Sequence, residues 1–78
     1  MSNKILIICR KIIDYSQQKM ADSLGISITS YNQKEKGKID FTRKEMIQIV
    51  STLNDNGLKL SIEDVFFKNE VSIKVTSC

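Results

Sequence analysis

The sequence contains no histidine and no proline, and its two cysteines stand near opposite ends of the chain. Without histidine there is no imidazole base for a catalytic triad and no Cys/His zinc cluster, so most enzyme chemistry is excluded. No stretch rich in proline, or in glycine and serine, marks a linker, and 78 residues make one domain at most. The sequence therefore predicts one small domain that is not an enzyme and binds no cofactor, metal or small-molecule substrate.

Long apolar runs are also missing. The run at residues 5–9 is flanked by Lys4 and Arg10, and it is too short for the core of a signal peptide or for a membrane span. We therefore expect a cytoplasmic protein with no membrane partner. In that compartment Cys9 is read as a small buried side chain and Cys78 as a loose terminal thiol, with a disulfide between chains as the alternative.

Charge is distributed unevenly along the chain. Residues 1–44 hold nine basic side chains against four acidic ones, whereas residues 45–78 hold three against five. Such asymmetry suits a protein with one side that faces nucleic acid and a separate side for association. The alternative from charge alone is an ordinary solvated surface.

Apolar spacing and capping residues predict an all-α chain of five short helices. Their predicted spans are 4–14, 17–24, 28–36, 43–54 and 62–67. Five residues of the first helix recur at helical spacing and are predicted to face the core: Ile5, Ile8, Cys9, Ile12 and Ile13. Ile62, Val65 and Phe66 are predicted to close that core from the last helix.

Several residues mark where these helices begin and end. Ser2 or Asn3, Ser16, Ser27 and Ser61 are placed to cap four of the helices. The segment from Thr42 to Glu45 has the pattern of a capping box, in which each side chain binds the backbone N–H of the other residue. Gly25 and Gly37 are suited to the left-handed turns that end the second and third helices.

The second and third helices together predict a helix-turn-helix. Small Ala21 allows the two helices to approach closely, while Leu24, Ile26 and Tyr31 can fill the wedge between them. The third helix has only Ile28 and Tyr31 as apolar residues, and a polar helix held between firmer ones usually faces a ligand.

This pattern resembles the lambda-repressor-like, Xre-type family of phage and bacterial regulators over about residues 5–67. The residues that carry the resemblance are Gln17, Ala21, Gly25, Glu35, Gly37 and the helix at 61–67. The chain departs from the family pattern at Lys34, where an apolar residue is usual, and at Asp14, which replaces a common glycine.

The resemblance implies a role for particular residues. Those that would meet base edges are Ile28, Thr29, Asn32 and Gln33, although Ile28 alternatively packs inward. Those that would contact phosphates are Gln17, Lys36, Lys38 and Arg43, and Arg43 alternatively reaches a narrow minor groove. Arg10 and Glu35 would form a structural ion pair between the first and third helices.

The carboxy-terminal third holds more apolar surface than a core of this size needs. We therefore predict a homodimer interface formed by Leu58, Phe66, Phe67, Val71, Ile73 and Val75. Residues 70–76 alternate apolar and polar side chains, which is typical of a short β-strand, and the alternative is a disordered tail. The predicted organisation is a DNA-binding domain over 1–69 followed by a dimerisation tail over 70–78.

The function these features predict is that of a transcriptional regulator of the phage or prophage repressor type. It would bind a palindromic operator in double-stranded DNA as a homodimer. The alternative from another class is a protein-interaction module of the same fold, such as an antitoxin or a phage adaptor.

Overall fold

The computed structural model describes residues 3–67, which contain four α-helices and one short π-helix. The helices are α1 (Lys4–Ile12), α2 (Gln17–Leu24), α3 (Ile28–Glu35) and α4 (Arg43–Asp55), followed by the π-helix π1 (Glu63–Phe67). Between residues 3 and 67 there is no strand, so the all-α prediction is confirmed for that range. The strand predicted over 70–76 lies outside the described residues.

Side-chain caps define the start of most helices, as predicted. The hydroxyls of Ser16 and Ser27 each accept a hydrogen bond from the N–H three residues later, at 3.0 and 3.1 Å. Thr42 Oγ1 accepts from the N–H of Glu45, and Glu45 Oε1 accepts from the N–H of Thr42, so the capping box is complete. These bonds satisfy amides that have no partner within a helix, which is why α2, α3 and α4 begin where the sequence predicts.

Of the two residues predicted to cap α1, Ser2 lies outside the described residues, and the prediction for Asn3 is wrong. Asn3 stands at the capping position, but its Nδ2 donates to the carbonyl oxygen of Lys34 at 2.9 Å. Its backbone N–H donates to the carbonyl oxygen of Glu35 at 3.0 Å. The last carbonyls of a helix lack partners within it. Asn3 therefore satisfies the end of α3 instead of the start of α1.

A left-handed turn at Asp14 ends α1 earlier than predicted. Asp14 has φ 61°, a conformation that asparagine and aspartate adopt more readily than other residues with side chains. The N–H of Tyr15 then reaches back to the carbonyl of Arg10. The helix consequently stops at Ile12 rather than at residue 14, and α2 begins after four intervening residues, at Gln17.

The core lies where α2 packs against α3 and α4. Its largest fully buried side chains are Tyr31, Leu6, Met20, Ile49 and Leu53. Val65 of π1 is buried, and Ile62 and Phe66 pack against the same cluster, so the predicted closure of the core by the last helix is confirmed. The ring of Phe41 links the two ends of this cluster, at 5.9 Å from Tyr31 and 5.5 Å from Phe66.

The face of α1 that packs inward is only partly the predicted one: Cys9 is buried and Ile5 and Ile13 pack against the core, as predicted. Leu6 is fully buried, whereas Ile8 and Ile12 are 45% and 63% exposed. Every residue from Ile5 to Cys9 is apolar, so spacing alone did not distinguish the inner face. Arg10 is buried as well, and it lies four residues after Leu6 on the same side of the helix.

Candidate nucleic-acid interface

The helix α3 has one buried side and one exposed side. Tyr31 and Glu35 are buried, and they lie four residues apart on the inner face. Thr29 and Gln33 are both exposed, again four residues apart, on the opposite face. The outer side of α3 is therefore polar and open to a ligand.

The other two residues predicted to meet bases flank this outer face. Asn32 is partly exposed, and Ile28 is 36% exposed at the first turn of the helix. Because an exposed Ile28 is available for contact, the structure does not favour the alternative in which it packs inward. All four predicted base-contact residues thus have surface from which to reach a partner.

Three basic side chains predicted to contact phosphates follow α3. Lys36, Lys38 and Arg43 are all exposed. The N–H of Lys38 donates to the carbonyl of Gln33 at 2.9 Å, so the chain folds back against the end of α3 through a left-handed Gly37. This turn keeps the two lysines beside the carboxyl end of the helix.

The ion pair predicted between Arg10 and Glu35 is present and buried. Arg10 Nε lies 2.8 Å from Glu35 Oε2, and Arg10 Nη1 also donates to the carbonyl of Tyr15 at 2.8 Å. The hydroxyl of Tyr31 donates to the same carboxylate oxygen of Glu35 at 2.6 Å. One carboxylate therefore connects α1 to α3 and fixes the buried end of Tyr31.

Burial and hydrogen bonding act in opposite directions on Glu35. Burial raises the pKa of its carboxyl, but hydrogen bonds from Arg10, Tyr31 and Gln17 outweigh that effect and leave the pKa below its ordinary value. The pKa of Tyr31 is raised, first by burial and then by its bond to the charged Glu35. Both groups therefore hold their usual charge at neutral pH.

Gln17 has a partner that sequence reasoning did not predict. It is the first residue of α2, and its Nε2 donates to Glu35 Oε1 at 2.7 Å. The sequence predicted a phosphate contact for Gln17, and the structure shows in addition that its side chain is partly buried and bonded to the ion pair. The two residues are 18 positions apart in the chain, and no periodic pattern in the sequence predicts such a contact.

A second ion pair, between Lys34 and Glu45, was also missed. Lys34 Nζ lies 2.6 and 2.8 Å from the two carboxylate oxygens of Glu45. Burial raises the pKa of Glu45, but the hydrogen bonds from Lys34 and from the Thr42 backbone together lower it by more. The net effect is a pKa below the ordinary value. A lysine at a position that is usually apolar thus joins the end of α3 to the capping box of α4.

The residues predicted to form a dimer interface are only partly within the described range. Leu58 and Phe66 pack against the core of the protomer itself, and Phe67 is 60% exposed. Val71, Ile73 and Val75 lie outside the described residues.

Comparison of the chain with protein-family models, with curated proteins and with solved structures found no match. Among the helices of residues 3–67, none is long and apolar enough to cross a membrane. The same part of the chain has no group of three or more histidine, cysteine or acidic side chains arranged to hold a metal ion.

Proposed function

We propose that this protein is a sequence-specific DNA-binding regulator of transcription, in which α3 is the recognition helix. The observation that carries the proposal is the outer face of α3, where Thr29 and Gln33 are exposed. Only Tyr31 and Glu35 of this helix are buried. An α-helix fits the major groove of B-DNA, where every base pair presents a distinct pattern of donors and acceptors. A polar helix face of this kind is suited to read that pattern.

The side chains on this face match the chemistry of base edges. An amide such as that of Gln33 or Asn32 can donate to N7 and accept from N6 of adenine at the same time. The methyl groups of Thr29 and Ile28 can contact the methyl group of thymine. The exposed Lys36, Lys38 and Arg43 supply positive charge for the phosphates on either side.

A single copy of so short a helix contacts few base pairs. We propose that two protomers bind a palindromic operator as a homodimer, with their recognition helices about 34 Å apart in successive major grooves. The resemblance to lambda-repressor-like, Xre-type regulators supports this arrangement and a cytoplasmic, phage-type or prophage-type repressor. The carboxy-terminal third, including the exposed Phe67, would provide the association surface.

The test is selection of binding sites from a pool of random duplexes, followed by affinity measurements on the enriched sequence. Gln33→Ala should weaken binding by about 1–3 kcal/mol and relax the preference at one base pair. The matched control is Gln48→Ala, because Gln48 is an exposed glutamine on α4, and its loss should leave affinity unchanged. If no sequence is enriched, α3 is not a recognition helix; if Gln33→Ala retains the wild-type preference, Gln33 does not read a base.

A second candidate function, protein binding, is favoured by exposed apolar side chains. Ile8 and Ile12 lie one turn apart on α1, and Ile39, Ile47 and Phe67 are also exposed. An antitoxin or phage adaptor would use such residues to hold a partner protein. In that case the selection would enrich no DNA sequence, and substitution of Ile8 and Ile12 by serine would abolish partner binding while Gln33→Ala would not.

A further inference from the structure

The side chain of Gln17 is anchored within the domain at the point where α2 begins. Gln17 directly follows the Ser16 cap, so it lies beside backbone amides that have no partner within the helix. Such amides favour an anion, and in the proposed function that anion is a DNA phosphate. The hydrogen bond from Gln17 Nε2 to Glu35 Oε1 connects this candidate phosphate contact to the buried ion pair.

Glu35 is a rigid acceptor for that bond. Its side chain is 4% exposed, and Arg10 donates to both carboxylate oxygens, at 2.8 Å from Nε and 3.3 Å from Nη2. Tyr31 adds a third donor at 2.6 Å. These three bonds hold the carboxylate in one orientation. The amide group of Gln17 must therefore turn its nitrogen, not its oxygen, toward Glu35.

This orientation has a consequence for phosphate binding. A side-chain amide nitrogen carries two N–H groups, and the bond to Glu35 uses one of them. The second N–H is then available to an acceptor outside the domain. The positive charge of Arg10 offsets that of the Glu35 carboxylate, which reduces the repulsion that a buried anion would exert on a nearby phosphate.

We propose that Glu35 is a positioning residue for DNA binding, because it holds the Gln17 amide in the orientation that donates to a phosphate. This inference rests on the proposed function. Holding one flexible side chain in its bound orientation before binding is worth about a two- to tenfold gain in affinity. The gain is the same for every DNA sequence, because a phosphate contact carries no base identity.

The first test measures the motion of glutamine side-chain amides by NMR relaxation in the free, wild-type protein. Gln33 and Gln48 are the controls, since both are exposed. We expect the Gln17 amide to be as rigid as the helix backbone, and the two controls to be flexible, with order parameters below about 0.6. A Gln17 amide as mobile as that of Gln33 overturns the proposal.

The second test removes the acceptor while preserving the fold. In a Tyr31→Phe background, Arg10→Met together with Glu35→Met replaces the buried pair by apolar side chains of similar length, a type of change that is often neutral for stability. Net charge is unchanged, and Tyr31→Phe alone is the reference protein. Affinity for the selected duplex is measured for both proteins, with and without Gln17→Ala, after circular dichroism has established that each is folded.

The expected result is a two- to tenfold loss of affinity in the methionine variant, and a loss on adding Gln17→Ala that is smaller there than in the reference protein by the same factor. If Gln17→Ala weakens binding but the methionine variant binds as well as the reference, the positioning role is wrong and the phosphate contact stands. If Gln17→Ala has no effect, neither the contact nor its positioning exists. Whether Gln33 reads a base is decided separately by Gln33→Ala. If the methionine variant does not fold, the NMR comparison decides the question alone.

Discussion

Removal of the Arg10 guanidinium should unfold most of the protein at neutral pH. Arg10 and Glu35 are both buried, with side chains 9% and 4% exposed, so Arg10→Met leaves a charged carboxylate inside the domain. Breaking a buried pair from one side costs about 3–5 kcal/mol, because the remaining charge has lost its partner. A core of this size supplies only about 3–5 kcal/mol of stability in total. The variant is therefore expected to be largely unfolded.

The measurement is urea unfolding followed by far-ultraviolet circular dichroism. Arg10→Met with Glu35→Met is the matched comparison, because it removes both charges and should recover most of the lost stability. A loss of less than about 1 kcal/mol in Arg10→Met would refute the reasoning. So would a double variant that is less stable than the single one.

The effect of pH provides an independent check on the same pair. In the wild type the pKa of Glu35 is below its ordinary value, so its contribution to stability is present above the ordinary pKa and is lost as pH falls through the lowered one. Burial is the largest influence on this pKa, and the bond from Arg10 is the strongest that opposes it. In Arg10→Met the pKa of Glu35 should be higher than in the wild type, because the strongest bond that lowers it is gone, so the charged carboxylate contributes less to stability at neutral pH. The difference in stability between the two proteins should narrow as the pH is lowered toward 4.

Three further outcomes are expected. About six phosphates would be neutralised by Lys36, Lys38 and Arg43 of two protomers. Raising salt from about 50 to about 200 mM should therefore weaken DNA binding about 10³-fold. An affinity that does not change would exclude contacts between these side chains and the DNA phosphates. Lys34→Met should lower the unfolding free energy by about 1 kcal/mol, because it removes the ion pair with Glu45. Lys44 is exposed, so Lys44→Met should leave the unfolding free energy unchanged. Equal urea midpoints for the two variants would contradict this expectation. Deletion of residues 70–78 should lower both the mass in sedimentation equilibrium and the affinity for the operator, and no change in either would remove the tail from the proposed dimer.

The sequence by itself predicted the features that depend on a few neighbouring residues. Ser16, Ser27 and the pair of Thr42 with Glu45 each cap a helix within three residues of chain, so their effect can be read locally. The left-handed turn at Gly25 is equally local. The ion pair of Arg10 with Glu35 spans a longer separation, and it was predicted only because the pattern resembles a known family.

Tertiary structure alone decided which partners meet across the chain. Leu6 rather than Ile8 faces the core, because packing chooses one face of a helix that is apolar on several sides. Gln17 reaches Glu35, and Lys34 reaches Glu45, over separations of 18 and 11 residues. Such contacts leave no periodic trace in the sequence, since they depend on how the helices are placed relative to one another. The sequence thus predicts the polar outer face of α3 in the candidate interface. The bonds from Gln17 to Glu35 and from Lys34 to Glu45, which hold this helix in place, form only in the folded chain.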